Sequence, residues 1–376
     1  MKIAINTRLL LPNKLDGIGW FSFETLKRIT ETHPEHDFYF LFDRKYSSEF
    51  IFTDNVHPVI VRPVTRHPVL WYIWYEWSIP RILKKLKADV FVSPDGYISL
   101  RAKIHSVSVI HDINFFHRPN DLPFFSRKYY NYFFPRFAKK AARIGTVSKY
   151  SAKDISESYG IDISKIDIVY NGVNNRYGPI GSNLVTKNRL KYSSGLAYFV
   201  FVGTLHPRKN IVNMLKAYDI FRRNSGSKIK MVIVGEKMFL TKEIDNALKS
   251  MKFGSDVIFT GRLSPDDLHL VIASALAMTF VPYFEGFGIP LLEAMKCGVP
   301  VIASDRTSLP EVGGDAAVYC DPDNTDEIAL AMQNVSENDD LRREFISKGL
   351  KRAKDFNWDK SAEQFWSLIE KVLHGS

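Results

Sequence analysis

Short apolar runs alternating with helical patterns constrain this chain more than any other feature. Residues 2–6 (KIAIN), 38–42 (FYFLF), 89–93 (DVFVS), 106–110 (SVSVI), 144–148 (IGTVS) and 166–170 have the length and composition of strands. So do 198–203 (YFVFVG), 230–235 (KMVIVG), 256–260, 277–282 and 299–303. Helical patterns occupy 19–32, 125–143, 149–159, 209–224 and 289–297. Strands filled with Val, Ile and Phe and separated by helices predict an α/β fold, with parallel sheets covered on both faces.

A chain of 376 residues exceeds what one hydrophobic core usually holds. The strand-helix pattern restarts near residue 195, after the Gly-, Asn- and Ser-rich stretch 171–195. We therefore expect two doubly wound domains, 1–172 and 195–355, joined by a linker and lead-in over 173–195, with a last segment over 356–376.

The net charge of +10 favours polyanions such as nucleic acid, anionic lipid or phosphorylated small molecules, without choosing among them. The two cysteines, Cys297 and Cys320, form no CxxC and no disulfide framework, which fits a reducing compartment. The N-terminal MKIAINTRLL lacks a signal-peptide core, and the longest apolar stretch, from 271, is short of a membrane span. The expectation is a cytoplasmic protein.

Several motifs carry chemistry. In EGFGIPLLEAM, 285–295, Gly286 and Gly288 allow backbone N–H groups to approach a ligand closely. Ile289 then starts a helix with Pro290 in its first turn, and the positive end of that helix suits a phosphate or a hydroxyl. Glu293, one turn in, either complements that helix end or accepts hydrogen bonds from a ligand. In HPRKN, Arg208 and Lys209 follow a strand, where open α/β sheets bind ligands; alone, such a pair is usually a solvated turn. DGIGW offers Gly17 and Gly19 between the first strand and helix, but no dinucleotide fingerprint. VIHDIN ends a strand with His111 and Asp112. In GRLSPDDL, Ser264, Pro265 and Asp267 read as N-cap, first helical residue and capping-box partner. The DPD string at 321–323 follows the strand AAVYC and reads as a surface turn rather than a metal site.

In this order GIGWFSFETL, VIHDINFFHRP, TVSKYSAKDI, VYNGVN, VGTLHPRKN, TGRLSPDDL, EGFGIPLLEAM and FNWDKSAEQF resemble the retaining GT-B glycosyltransferases of family 4. The similarity covers nearly the whole chain and is strongest to mannosyltransferases of bacterial surface-polysaccharide assembly. It implies two Rossmann-like domains with a nucleotide sugar in the cleft between them, and a last helix, about 358–373, returning to the N-terminal domain. It implies that Arg208 and Lys209 hold the departing diphosphate, Glu285 the sugar and Glu293 the ribose. The nucleotide-sugar site would also take Gly286, Phe287, Gly288 and Ile289, with Arg262 and Leu263 at the nucleobase. Gly17 and Gly19 would close over the diphosphate, and His111 would contact the sugar. His206 stands where related sequences often have an acid, so its role is open. No metal or other cofactor is expected, the nucleotide sugar being a co-substrate, and attack is expected on the front face.

Two aromatic-basic segments, 71–89 and 124–143, fall in the domain expected to hold the acceptor. Trp71, Trp74, Tyr75 and Ser78 share a helical face, which suits core packing; Arg81, Lys84, Lys85 and Lys87 follow Pro80. The alternative is an interfacial patch touching the inner face of a membrane, with a lipid-linked saccharide as acceptor. A nucleic-acid partner is disfavoured, since no RRM, HTH, KH or zinc signature occurs. The leading expectation is a transferase using GDP-mannose. The alternatives are a UDP-hexose transferase with a soluble acceptor, or a noncatalytic GT-B scaffold.

Overall fold

The computed structural model describes residues 1–236 and 242–375. It divides into two compact units, Met1–Gly172 with the chain from Asn357 onward, and Val173–Phe356.

The first unit is a seven-stranded sheet in the order β3-β2-β1-β4-β5-β6-β7. The strands are β1 Lys2–Asn6, β2 Asp37–Phe42, β3 Val56–Ile60, β4 Val90–Ser93, β5 His105–Val109, β6 Arg143–Thr146 and β7 Ile166–Ile168. All neighbours run parallel. The order runs outward from β1 to β3, then reverses to β4, so the topological switch lies between β1 and β4. Edge strand β3 is absent from the sequence-based reading because its sequence, VHPVI, contains Pro58. Proline cannot donate to a ladder but is tolerated at a sheet edge, where Pro58 stands opposite Phe40.

Helix Gly17–Thr32 turns Phe21, Leu26 and Ile29 onto the sheet. The terminal helix Trp358–Leu373 buries Phe365, Leu368 and Ile369 beside it, with the Phe21 and Phe365 rings 5.4 Å apart. Gly172 explains how the chain leaves and re-enters this unit. A Cβ there would lie 2.4 Å from the Trp358 amide nitrogen, so only glycine permits the approach.

The 66–87 segment is not one helix. Pro68–Ile73 is helical, Trp74–Ser78 forms a wider π turn, and Ile79–Leu86 resumes with Pro80 in its first turn. Trp74 and Tyr75 are fully buried, as core packing requires, whereas Trp77 is exposed. In the helix Phe124–Lys140, Phe134 and Phe137 are buried while Phe124, Phe125 and Tyr132 face outward. Among the described residues no helix is long and apolar enough to cross a membrane.

The second unit is a six-stranded parallel sheet in the order β10-β9-β8-β11-β12-β13. Its strands are β8 Tyr198–Val202, β9 Lys230–Val234, β10 Val257–Gly261, β11 Ala277–Phe280, β12 Val301–Ser304 and β13 Val318–Cys320. Here the order reverses between β8 and β11. Part of the expected linker is regular structure: Ser182–Ser193 is a helix fixed by Asn188, which donates to the Tyr198 hydroxyl and the Leu270 carbonyl. Both units are therefore doubly wound α/β sheets whose central strands are buried on both faces.

Candidate active site

In the second unit the loops after β8 and β11 are tied together. After β8, Pro207–Lys209 makes a single 3-10 turn, and the His206 ring accepts from the Arg208 amide at 3.3 Å. This gives the open position of His206 a local role as a cap. Asn210 takes a left-handed conformation, and its Nδ2 donates to the carbonyls of Val281 at 3.0 Å and Pro322 at 2.7 Å. The Tyr283 amide donates to the Arg208 carbonyl at 2.9 Å.

These ties bring Arg208, Lys209 and Glu285 into one cluster. Arg208 Nη1 donates to Glu285 Oε2 at 2.9 Å and to the Phe284 carbonyl at 3.1 Å. Lys209 Nζ donates to the same carboxylate oxygen. The Lys209 ammonium also sits 4.9 Å from the centre of the Phe280 ring, and its side chain is 7% exposed. Burial pushes the Glu285 carboxyl up, but the two adjacent cations outweigh it and hold the group below the ordinary carboxylate range. Glu285 is thus ionised, and two cations against one carboxylate leave a surplus positive charge.

Gly288 has φ +102 and precedes the helix Ile289–Lys296. A Cβ on it would lie 2.5 Å from Leu309 Cδ2. This glycine is required by conformation and packing together, whereas Gly286 has no positive φ among the described residues. Phe287 is buried, its ring 5.6 Å from that of Phe356. Glu293 is hydrogen-bonded to Tyr177; burial pushes its carboxyl up to about 7, against the opposing effects of Tyr177 and Arg176. Burial raises the neighbouring Cys297 thiol to about 12, which leaves it an inert core group.

Arg262 and Leu263 follow β10, Arg262 exposed and Leu263 half-buried. Ser264 caps the next helix, accepting from the Asp267 amide at 3.1 Å and donating to its carboxylate at 2.9 Å. The DPD turn is held by Arg306, which reaches Asp321 and Asp323 at 2.6 Å each. Among the described residues no group of three His, Cys, Asp or Glu side chains forms a metal-binding cluster.

In the first unit Gly17 and Gly19 lie inside the first turn of their helix rather than in the loop before it. Asp16 is the N-cap, accepting from the Gly19 amide at 2.9 Å. A Cβ on Gly19 would crowd Leu15 at 3.1 Å and the Leu9 carbonyl at 3.3 Å. His111 follows β5, with its ring edge-on to Phe21 at 4.9 Å and Nε2 at 2.8 Å from the Pro94 carbonyl. Burial lowers its pKa, so the ring is neutral at pH 7, with Nε2 carrying the hydrogen and Nδ1 an acceptor. Asp112 accepts from the Asn114 amide at 3.0 Å and braces the loop.

One feature of this unit was invisible in the sequence. Asn6 ends β1 and Ser93 ends β4, and Asn6 Nδ2 donates to Ser93 Oγ at 3.0 Å, Asp95 Oδ1 at 2.7 Å and the Tyr75 hydroxyl at 2.9 Å. Arg8 Nε meets Asp95 Oδ2 at 2.7 Å, and its guanidinium lies 4.4 Å from the Tyr97 ring centre. Nothing in the string NTR distinguishes Arg8 from an ordinary loop arginine.

Comparison with known proteins agrees with this architecture. The model of glycosyl transferases group 1 matches residues 186–352, and that of glycosyltransferase family 4 matches residues 17–176. The O-antigen chain mannosyltransferase B of Escherichia coli is 26% identical over 93% of this chain and 94% of its own. The O-antigen chain mannosyltransferase RfbU of Salmonella typhimurium is 27% identical over 74% of each chain. Among solved structures, Anabaena HepE, crystallised with UDP and glucose, superposes with a TM-score of 0.75 at 17% identity over 98% of this chain and 99% of its own. WaaG, a glycosyltransferase involved in lipopolysaccharide biosynthesis, gives 0.75 at 15% identity over all of both chains. With both units matched by family models and the two-sheet fold shared with GT-B enzymes, this chain belongs to the group 1, family 4 glycosyltransferases.

Proposed function

We propose that this glycosyltransferase transfers mannose from GDP-mannose to a saccharide acceptor with retention of anomeric configuration and without a metal ion. The observation that carries this reading is the Arg208–Lys209–Glu285 cluster at the β8/β11 switch point. Open α/β sheets bind ligands at such points. A departing nucleoside diphosphate develops negative charge, which fixed cations stabilise, Arg as a fork and Lys as a point charge. In this reading Glu285 aligns both cations and presents its remaining capacity to the sugar. Glu293 takes the ribose diol, Gly288 and Ile289 bring the helix N-terminus to the donor, and Arg262 and Leu263 flank the base.

The reaction breaks the bond between the anomeric carbon and the diphosphate oxygen and forms one to an acceptor hydroxyl on the same face. The leaving phosphate oxygen takes the acceptor proton, so positioning and electrostatics supply the rate enhancement. The choice of mannose rests on the mannosyltransferase relatives.

A lipid-linked acceptor at the inner face of a membrane is supported by the outward Phe124, Phe125, Tyr132 and Trp77. Cations lie over three of these rings: Arg127 and Lys128 at Phe124, Arg136 at Tyr132, Arg81 and Arg101 at Trp77. The test is transfer from GDP-mannose to an α-mannoside with EDTA present, the product anomer being read by NMR. An α-linked product supports the reading. An inverted product, an absolute metal requirement, or activity with UDP-hexoses alone overturns it.

A further inference from the structure

The DPD turn at 321–323 has no part in the transfer reaction proposed above, yet its backbone reaches the Arg208–Lys209–Glu285 cluster. The Pro322 carbonyl accepts from Asn210 Nδ2 at 2.7 Å and from Asn213 Nδ2 at 3.1 Å. Asn210 directly follows Lys209, and Asn213 lies on the helix Ile211–Ser225 that starts there. Asn213 Nδ2 also donates to the Tyr283 hydroxyl at 2.9 Å, and the Tyr283 amide donates to the Arg208 carbonyl.

Arg306, just after β12, fixes this turn. Its Nη2 and Nη1 meet Asp321 and Asp323 at 2.6 Å each, and Asp321 Oδ1 also accepts from the Asp323 amide at 2.9 Å. The next two residues hold the opposite partner. Thr307 Oγ1 accepts from the Glu285 amide at 3.3 Å, and Ser308 Oγ donates to the Glu285 carbonyl at 2.9 Å. Residues 306–308 therefore grip Glu285 directly and the Lys209 backbone through the turn. The contact between Lys209 Nζ and the Glu285 carboxylate closes this ring.

Folding alone does not call for the arrangement. Arg306 and Asp321 are 41% exposed and Asp323 57%, and ion pairs so open to water contribute little to stability. A guanidinium fork bridging two carboxylates instead sets their spacing, and with it the direction of the carbonyl between them. Asn210 and Thr307, the residues after Lys209 and Arg306, both take left-handed backbone at φ +59. That conformation is costly for a β-branched residue such as Thr307, and it persists where surrounding contacts over-determine it, as they do at functional sites.

We propose that Arg306 is a positioning residue for transfer: with Asp321 and Asp323 it forms a latch that sets where Lys209 Nζ stands relative to Glu285. Arg306 acts through Asn210 and touches no substrate. The use of that position in holding a diphosphate rests on the donor reading above; the latch itself does not.

The test compares wild type with Arg306→Ala and Arg306→Lys in two measurements. These are GDP titration, and labelling of Lys209 by trinitrobenzenesulfonate without nucleotide, read by peptide mass spectrometry. Lys230, half-buried near Asp256 in the same unit, is the reference for general loosening. In Arg306→Ala, GDP affinity should fall about tenfold, the scale of coupling between neighbouring residues. Lys209 labelling should rise while Lys230 labelling and the thermal midpoint stay unchanged. Arg306→Lys, able to meet one carboxylate, should recover part of both effects. In a Lys209→Ala background Arg306→Ala should cost less GDP affinity, because its effect runs through Lys209. Unchanged Lys209 labelling in Arg306→Ala overturns the latch, and so do additive losses in the double variant. Lys230 labelling and a thermal midpoint that move in step with Lys209 also overturn it, by assigning the ion pairs to folding alone. Failure of wild type to bind GDP while Arg306→Ala still releases Lys209 refutes the donor reading and leaves the latch standing.

Discussion

Arg208 and Glu285 are 77 residues apart in sequence, and their side chains meet at 2.9 Å, with Lys209 on the same carboxylate oxygen. The carboxylate holds two cations in register before any anion arrives. Glu285→Gln keeps the shape and removes the charge that aligns them. Transfer is expected to fall about 10²-fold, the scale of losing one preorganised electrostatic group, while GDP still binds through the cations. Steady-state rates beside GDP titration check this; unchanged transfer would show that the carboxylate is dispensable.

Glu293 gives the protein a pH dependence of defined sign. Its folded pKa, about 7, lies above that of an exposed glutamate. The stability this group contributes is full below the unfolded value near pH 4 and is lost as pH rises through about 7. Glu293→Gln should therefore flatten the decline in stability between about pH 5 and 7. A ribose diol hydrogen-bonds best to the ionised form, so donor affinity should fall up to about tenfold per pH unit below 7 in wild type and not in Glu293→Gln. Calorimetric titrations between pH 5.5 and 8 read both the affinity and the proton released.

Gly288→Ala tests the elbow before the Ile289–Lys296 helix. The positive φ and the 2.5 Å approach to Leu309, itself fully buried, act together. A cost of about 1–3 kcal/mol is expected, seen as a lower denaturation midpoint with weakened GDP binding. Gly17→Ala, where a Cβ would meet nothing within 4 Å, should leave the midpoint within about 0.5 kcal/mol of wild type.

Local pattern carried much of this architecture. The β1, β2, β8 and β9 runs are short and mostly apolar (KIAIN, DFYFLF, YFVFV and KMVIV), and the cap at Ser264 is written in nearby residues. What stayed hidden depends on distant pairing. Strand β3 holds together because β2 supplies its ladder on one side only, which no window of VHPVI reveals. The π turn at Trp74–Ser78 shifts the helical phase, so Trp77 turns outward while Trp74 and Tyr75 stay in the core. The motifs named Arg208, Lys209 and Glu285 separately; their meeting on one oxygen is a product of the β8/β11 loops. The Arg8–Asp95 pair, 87 residues apart, has no local signature at all.

The outward aromatic face gives a prediction independent of the chemistry. Phe124 and Phe125 are 56% and 67% exposed beside Arg127 and Lys128. Phe124→Ser with Phe125→Ser should abolish flotation with vesicles containing anionic phosphatidylglycerol and leave transfer to a soluble mannoside unchanged. Wild-type protein that stays at the bottom of the gradient contradicts a membrane role for this helix.

In the proposed reaction the β8/β11 cluster binds the diphosphate of a sugar nucleotide. The most direct measurement is thermal-shift titration of wild type and Lys209→Ala against GDP-mannose, GDP, UDP-glucose and ADP-glucose, with and without EDTA, since a ligand of the folded state raises the midpoint with its concentration. The predicted result is a shift selective for GDP-mannose and GDP, insensitive to EDTA and lost in Lys209→Ala. A shift that survives Lys209→Ala, or none with any sugar nucleotide, would contradict it.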